Sequence, residues 1–208
     1  MRLRHPPGRA GRMWLEHRID VATRGAGLLD KKRRALVQEL RRLRVLARQT
    51  EAEWNRLAGD AEVWLNRTAV LAGEEKVAML AARHPQARVT ILWRSSMGVT
   101  FASQAQVDLG ASPGDLSGGS AAADIAVESS RLAVEAAVND AVARSALSRV
   151  SHEVALTARR QRALERRWMP ALTGALNRLN GALDELEREE TTRAVWAMRH
   201  QSGSGQGC

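Results

Sequence analysis

The chain has 208 residues, is 44% hydrophobic and carries a formal net charge of +9. It holds six Trp, one Phe and no Tyr, so the usual aromatic contribution to a globular core is small and Leu, Ala and Val must supply the buried area. That composition suits helices packed along an extended seam. The single cysteine, Cys208, excludes an intrachain disulfide or a cysteine-based metal site and fits a reducing compartment. No apolar run approaches the roughly 18–20 residues that span a bilayer. The opening "MRLRHPPGRAGR" is basic without an apolar stretch, so a secretory signal is not expected.

The positive charge is uneven. Residues 1–50 carry 14 Lys/Arg against 4 Asp/Glu, and residues 51–130 carry 6 against 10. Residues 131–208 carry 12 against 9. A basic N-terminal segment of this kind can meet nucleic acid, an anionic surface or an acidic protein cavity.

In chain order, residues 1–12 read as a basic N-terminal extension, and residues 13–72 as one helix. Steps of 4 and 3 from Leu15 meet Ile19, Ala22, Ala26, Leu29, Arg33, Leu36, Leu40, Leu43, Ala47, Thr50, Trp54, Leu57, Ala61, Trp64, Thr68 and Leu71. Only Arg33, Thr50 and Thr68 break the apolar pattern, which is a heptad seam sustained over eight repeats. Such a helix is about 90 Å long at 1.5 Å per residue and needs a partner along its length. Residues 73–123 read as a short helix after Gly73, a β-hairpin and a Gly/Ser loop. In the hairpin, "ARVTILWR" and "GVTFASQAQV" flank the turn "SSMG". A lone hairpin is marginal in water, so this one should lean on a helix or on a partner protein. The loop is "GASPGDLSGGSAAA", with Asp124 as the expected N-cap of the next helix.

Residues 124–200 read as a second long helix, and 201–208 as a disordered tail. Its seam runs Leu147, Val150, Val154, Thr157, Gln161, Leu164 and Trp168, then Leu172, Leu176, Leu179, Leu183 and Leu186. A strict heptad places a core residue at 171, so the phase slips by one residue. Pro170 lies at the slip and leaves the Arg166 carbonyl without its helical donor. Matching seams at the two ends of the chain predict a mainly α fold. It is a long antiparallel intramolecular coiled coil of N- and C-terminal helices with a small β-hairpin in the central region. The expected core includes Leu29, Leu36, Leu40, Leu43, Leu164, Trp168, Leu172, Leu176 and Leu179.

Catalytic constellations are not evident. Gly118-Gly119 lacks the spacing of a phosphate-binding loop, and the five His show no metal-ligand spacing. Ser148 and Ser151 beside His152 are helical neighbours, whereas a triad needs separate elements. No catalytic residue, cofactor or metal is therefore expected. Lys31–Arg34 and Arg41, Arg42 and Arg44 are interleaved with leucines that need burial, so they read as a solvated face beside the seam. Trp14 and Trp196, near the chain ends, are candidate partner contacts.

Three stretches carry a resemblance. "PGRAGRMWLEHRIDVATRGAGLLDKKRRALVQEL" (7–40), "MGVTF" (97–101) and "HEVALTARRQRALERRWMPAL" (152–172) together resemble the D subunits of the V-type (archaeal/vacuolar) ATPases and ATP synthases. In the first, Pro7, Arg9, Gly25, Leu28, Leu29, Lys32, Arg33 and Leu36 match the family pattern. In the third, Glu153, Thr157, Arg159, Arg160, Ala163, Leu164, Glu165, Pro170 and Leu172 match. The resemblance implies a non-catalytic central rotor shaft that couples proton or sodium flow to ATP synthesis or hydrolysis. Implied partners are a ring of alternating catalytic and regulatory subunits (A and B type), the small F subunit of the stalk, and the component that couples to the membrane ring (C/d type). The implied location is cytoplasmic and peripheral to the cell membrane, with no direct nucleic-acid contact. Candidate partner contacts under this reading are Arg9, Arg33, Arg159, Arg160, Met97, Gly98, Val99 and Phe101. The alternative is a basic coiled-coil adaptor for nucleic acid or acidic proteins.

Overall fold

The computed structural model describes residues 4–110 and 120–203, with side chains described as far as 198 in the last helix. The order is α1 (Gly8–Ala72), α2 (Glu74–Arg83), β1 (Arg88–Ser96), β2 (Val99–Asp108), α3 (Ala121–Ala163), a π-helical turn (Leu164–Trp168) and α4 (Met169–Gly203). The protein is mainly helical, with a long helix from each end and a two-stranded antiparallel sheet between them.

Helix α1 starts at Gly8, five residues before the sequence expectation, so residues 8–12 belong to the helix and not to an extension. Pro6 and Pro7 supply the stop that sets this start, since proline is tolerated only ahead of or at the first helical turn. Helix α3 starts at Ala121 and not after Asp124. The Ser120 carbonyl accepts the Ala123 and Asp124 N–H groups, which places Asp124 inside the first turn, where its charge suits the helix dipole. The centre of the predicted Gly/Ser loop, 111–119, lies outside the described residues, as does the tail from 204 on. Residues 201–203 are helical.

The chain divides into two compact units. One draws on residues 32–156. Its core joins Leu36, Leu40 and Leu43 of α1 to Ala146 and Val150 of α3, with Val99 and Phe101 of β2 seated against them. Leu147 and Val154 pack around this cluster. Phe101, the only Phe in the chain, is 2% exposed. The two helices run antiparallel, and Lys32 pairs with Glu153 at 3.0 Å beside the same cluster. Further along, the packing residues shrink: Ala47 and Ala61 on α1, and Ala123, Ala126, Ala136 and Ala143 on α3, are buried. The polar seam positions of α1 are engaged within the chain, Arg33 among them. Thr68 is 1% exposed and its hydroxyl donates to the Trp64 carbonyl at 2.9 Å. Thr50 faces Asp140 of α3 at 3.4 Å. Leu71, the last predicted seam residue, is instead 72% exposed. It sits in the last turn of α1, before Gly73 ends the helix with φ +88°.

The other unit draws on residues 1–31 and 157–208. Leu15 of α1 and Leu172 and Ala175 of α4 form its buried centre, and Trp14, Ile19, Ala22, Leu176 and Leu179 pack on it. Trp14 thus belongs largely to the core side, with Arg18 over its ring at 5.0 Å, and is not a free partner contact. The phase slip is a change of helix type. The Met169 N–H donates to the Leu164 carbonyl, five residues back, and the turn Leu164–Trp168 carries one extra residue. Proline at 170 has no N–H for the Arg166 carbonyl, and a wider turn is one way a helix absorbs that loss. An inserted residue rotates everything after it by about 100° on a helix of 3.6 residues per turn. Trp168 is therefore carried off the seam to 44% exposure, contrary to its predicted core position, while Leu172 is carried onto it at 2%.

Gly11 is fixed by contact. A Cβ there would lie 1.9 Å from the Pro6 carbonyl oxygen and 3.2 Å from Leu179 Cδ2. At Gly25 a Cβ would meet only Leu164 Cδ1, at an ordinary 3.9 Å. Gly11→Ala should therefore displace residues 4–7 from the start of α1 and lower stability. Gly25→Ala should raise it by about 0.5–1 kcal/mol through helix propensity. Urea unfolding of the two variants beside the parent checks the opposite signs.

Candidate partner-binding surfaces

The hairpin arises from local chemistry. Met97 and Gly98 both have positive φ, +51° and +74°, which makes a two-residue turn of the type that matches strand twist. Ser95 and Ser96, predicted as turn, are strand residues paired with Thr100 and Val99. Beyond Trp93↔Ala102 the register shifts, and the next pair is Leu92↔Gln104. Ser103 is the extra residue, and its hydroxyl donates to the Leu92 carbonyl at 3.0 Å. A bulge of this kind bends a strand and steepens its twist.

The two strands differ in burial. On β2, Val99 and Phe101 are buried against the helices, and Ala102, paired with Trp93, is buried as well. On β1, Val89, Ile91, Leu92 and Trp93 are 40–63% exposed, and Met97 at the turn is 55% exposed. The candidate contacts in "MGVTF" therefore separate. Met97 and Gly98 face solvent, while Val99 and Phe101 are core residues and are not available to a partner. The physical reason is the alternation of a strand: residues two apart share a face, and the face of 99 and 101 is the one the helices need. The exposed apolar row on β1, with Trp93 its most exposed member, is a surface that the sequence reading misses. Its alternation is the available signal; what the pattern lacks is which strand the helices cover.

The arginines also separate. Arg159 and Arg160 are exposed on α3. Arg9 is exposed and lies 3.3 Å from Glu187, a pair whose solvent exposure leaves it little energetic weight. Arg33 is half-buried and engaged within the chain, which accounts for a charged residue at a seam position. In the same unit as Arg9, Met13 and Leu28 of α1 are 70% and 67% exposed, and Trp196 of α4 is 66% exposed. Leu29 and Leu164 are half-buried along their helices, and Leu176 and Leu179 pack on the Leu15–Leu172 centre. No helix among the described residues is long and apolar enough to cross a membrane. An apolar cleft of about 270 Å³ lies in the unit of residues 32–156, between Leu65, Leu80, Leu109, Val127 and Val134.

Trp93→Ser should leave the unfolding free energy of the isolated chain within about 0.5 kcal/mol, as exposed substitutions do. Phe101→Ala should cost about 3–5 kcal/mol through the cavity it leaves. Guanidinium titrations read by circular dichroism separate the two. Equal losses would mean that β1 is as much a part of the core as β2.

Known proteins are similar to this chain along nearly its whole length. The D subunit of a V-type ATP synthase from an Anaeromyxobacter species is 32% identical over 198 residues, covering 91% of each chain. The protein of the same name from Thermotoga neapolitana is 29% identical, over 90% of this chain and 93% of that one. The D subunit of an A-type ATP synthase from Pyrococcus furiosus is 28% identical over 92% of each. The sequence pattern of the ATP synthase D-subunit family matches residues 13–199, which takes in the long helices, the π-helical turn and the hairpin, so this chain belongs to that family.

Proposed function

We propose that the chain is the central-stalk rotor subunit of a V/A-type ATP synthase. It turns inside a ring of catalytic and regulatory subunits and couples proton or sodium flow to ATP synthesis or hydrolysis, without catalysing either itself. The observation that supports this most is the match to the D-subunit family over 13–199, both long helices included. The surfaces agree with the role. Arg159, Arg160 and Arg9 are exposed and can meet acidic residues of a ring, and Met13 and Leu28 add apolar contacts from the same unit. The exposed β1 row is the surface proposed for the small F subunit of the stalk. The exposed Val70 and Leu71 at the end of α1, at 86% and 72%, suit the component that couples to the membrane ring. The complex is then peripheral to the cell membrane on the cytoplasmic side.

Rotation does chemistry only through differential contacts. Each angle of an asymmetric shaft favours a different nucleotide state at each ring interface, and the free energy difference between contacts is what couples the two processes.

Co-expression with the ring subunits should yield a complex whose ATP-driven rotation depends on this chain. Tight, salt-steep binding to arbitrary duplex DNA with no ring complex would overturn the rotor reading in favour of a nucleic-acid adaptor. Pro170→Ala restores a donor for the Arg166 carbonyl and so relaxes the need for the π-helical turn. The variant should keep its helix content and assemble, while the ratio of ATP made to ions moved changes. Reconstituted vesicles with an imposed ion gradient give that ratio; an unchanged value with unchanged rotation would show that the turn has no part in coupling.

A further inference from the structure

A buried polar cluster between α1 and α3 stands apart from the partner surfaces. Asp140 of α3 is 0% exposed in the α1–α3 seam, between the buried Ala136 and Ala143. Its Oδ1 lies 3.4 Å across the seam from the Thr50 hydroxyl, which also lies 3.2 Å from the Leu46 and Ala47 carbonyls of its own helix, and its Oδ2 forms an ion pair with Arg144 one turn on. The Arg144 guanidinium reaches out to solvent and lies over the Trp54 ring at 5.5 Å, so the cluster closes back on α1. Every member belongs to the unit of residues 32–156.

The residues around it discriminate registers poorly. Opposite Trp64, Leu57, Trp54 and Ala47, a pairing aligned on Thr50–Asp140 places Ala126, Ala133, Ala136 or Ala137, and Ala143. Large residues on α1 thus meet alanines spaced seven apart on α3. A slip of one heptad one way sets Ala133 and Ala143 opposite Trp64 and Trp54, and Leu147 and Val150 opposite Thr50 and Ala47; the other way it sets Ala126, Ala133 and Ala136 opposite Leu57, Thr50 and Ala47, with Ser129 opposite Trp54. Asp140 loses its partner either way. Slipped one way it faces Leu57, and slipped the other way it faces Leu43. In either case a buried carboxylate loses the hydroxyl that meets it and is set against hydrocarbon. Buried polar groups at a seam commonly fix register for this reason, at a cost in stability.

We propose that Asp140, with Thr50 and Arg144, is the register lock of the α1–α3 pair. It is a positioning cluster: by fixing α1 against α3 it fixes the platform of Leu36, Leu40, Leu43, Ala146 and Val150 on which Val99 and Phe101 seat the hairpin. The inference rests on the seam alone and holds whatever partners the protein has.

Spin labels on cysteines at Glu51 and Asn139, both exposed, report the register in the full chain with Cys208 changed to Ser. Pulsed dipolar spectroscopy of that background should give one distance. Asp140→Leu should add a second population, since a heptad slip moves one helix along the other by about 10 Å. Asp140→Asn, which keeps a hydrogen-bonding partner for Thr50, should retain the single distance. The sharper variant keeps composition constant: Asp140→Ala with Ala133→Asp moves the seam carboxylate one heptad earlier, where it meets Thr50 only in a slipped pair. Its distance distribution should move to the slipped value. A single native distance in that double variant, or in a folded Asp140→Leu, overturns the proposal.

Discussion

The matched spacing of apolar residues on helices from the two ends of the chain is the constraint on which the rest of the structure depends. With one Phe and no Tyr, neither helix has a globular core to join, and each leucine row must be buried by the other. Leu36, Leu40 and Leu43 find Ala146 and Val150, while Leu15 finds Leu172 and Ala175. Burial of this kind stabilises by about 25 cal/mol per Å² of apolar surface removed from water, and long helices gain little without it. The hairpin then has a place to rest, because the helix pair offers the hydrophobic surface that a two-stranded sheet lacks.

The seam is not uniform, and its departures carry the specificity. Around Leu36–Leu43 large side chains meet, and β2 caps them. Towards Ala47–Ala61 the buried side chains are mostly alanines, and a buried Asp140 stands among them. In the other unit the helix gains one residue at Leu164–Trp168 and changes which face it presents. Each departure costs something locally: a desolvated carboxylate, a wider helical turn, a proline without a donor. Each also removes a degeneracy that a perfectly repeating seam would have. The rotor role proposed above would need contacts at fixed heights and angles, and a repeating seam alone does not set either.

Much of this is legible in the sequence. The 4–3 spacing from Leu15, the switch to alternation at Ala87, the Gly73 break and the one-residue slip at Pro170 are local patterns, and local patterns follow from backbone geometry. The resemblance of three stretches to the V-type D-subunit family adds the functional reading that the residues alone leave open. The misplacements have a common cause. Sequence reasoning puts Val99 and Phe101 among partner contacts, Trp168 in the core, Leu71 on the seam and Trp14 at the surface. Periodicity says which residues share a face, but it does not say which face is covered.

The sequence by itself therefore determined the elements, the helices that pair and the site of the phase change, because hydrophobic period and proline chemistry act within a few residues. Only the tertiary structure decided three further points. It turned the slip into a π-helical turn that carries Trp168 outward and Leu172 inward. It covered β2 while leaving Trp93 of β1 in solvent. It also gave Thr50, one of three polar residues in the α1 seam, an Asp140 to face. The last of these depends on a residue 90 positions away in the chain, and helical spacing along one segment holds no information about what it will face at that distance.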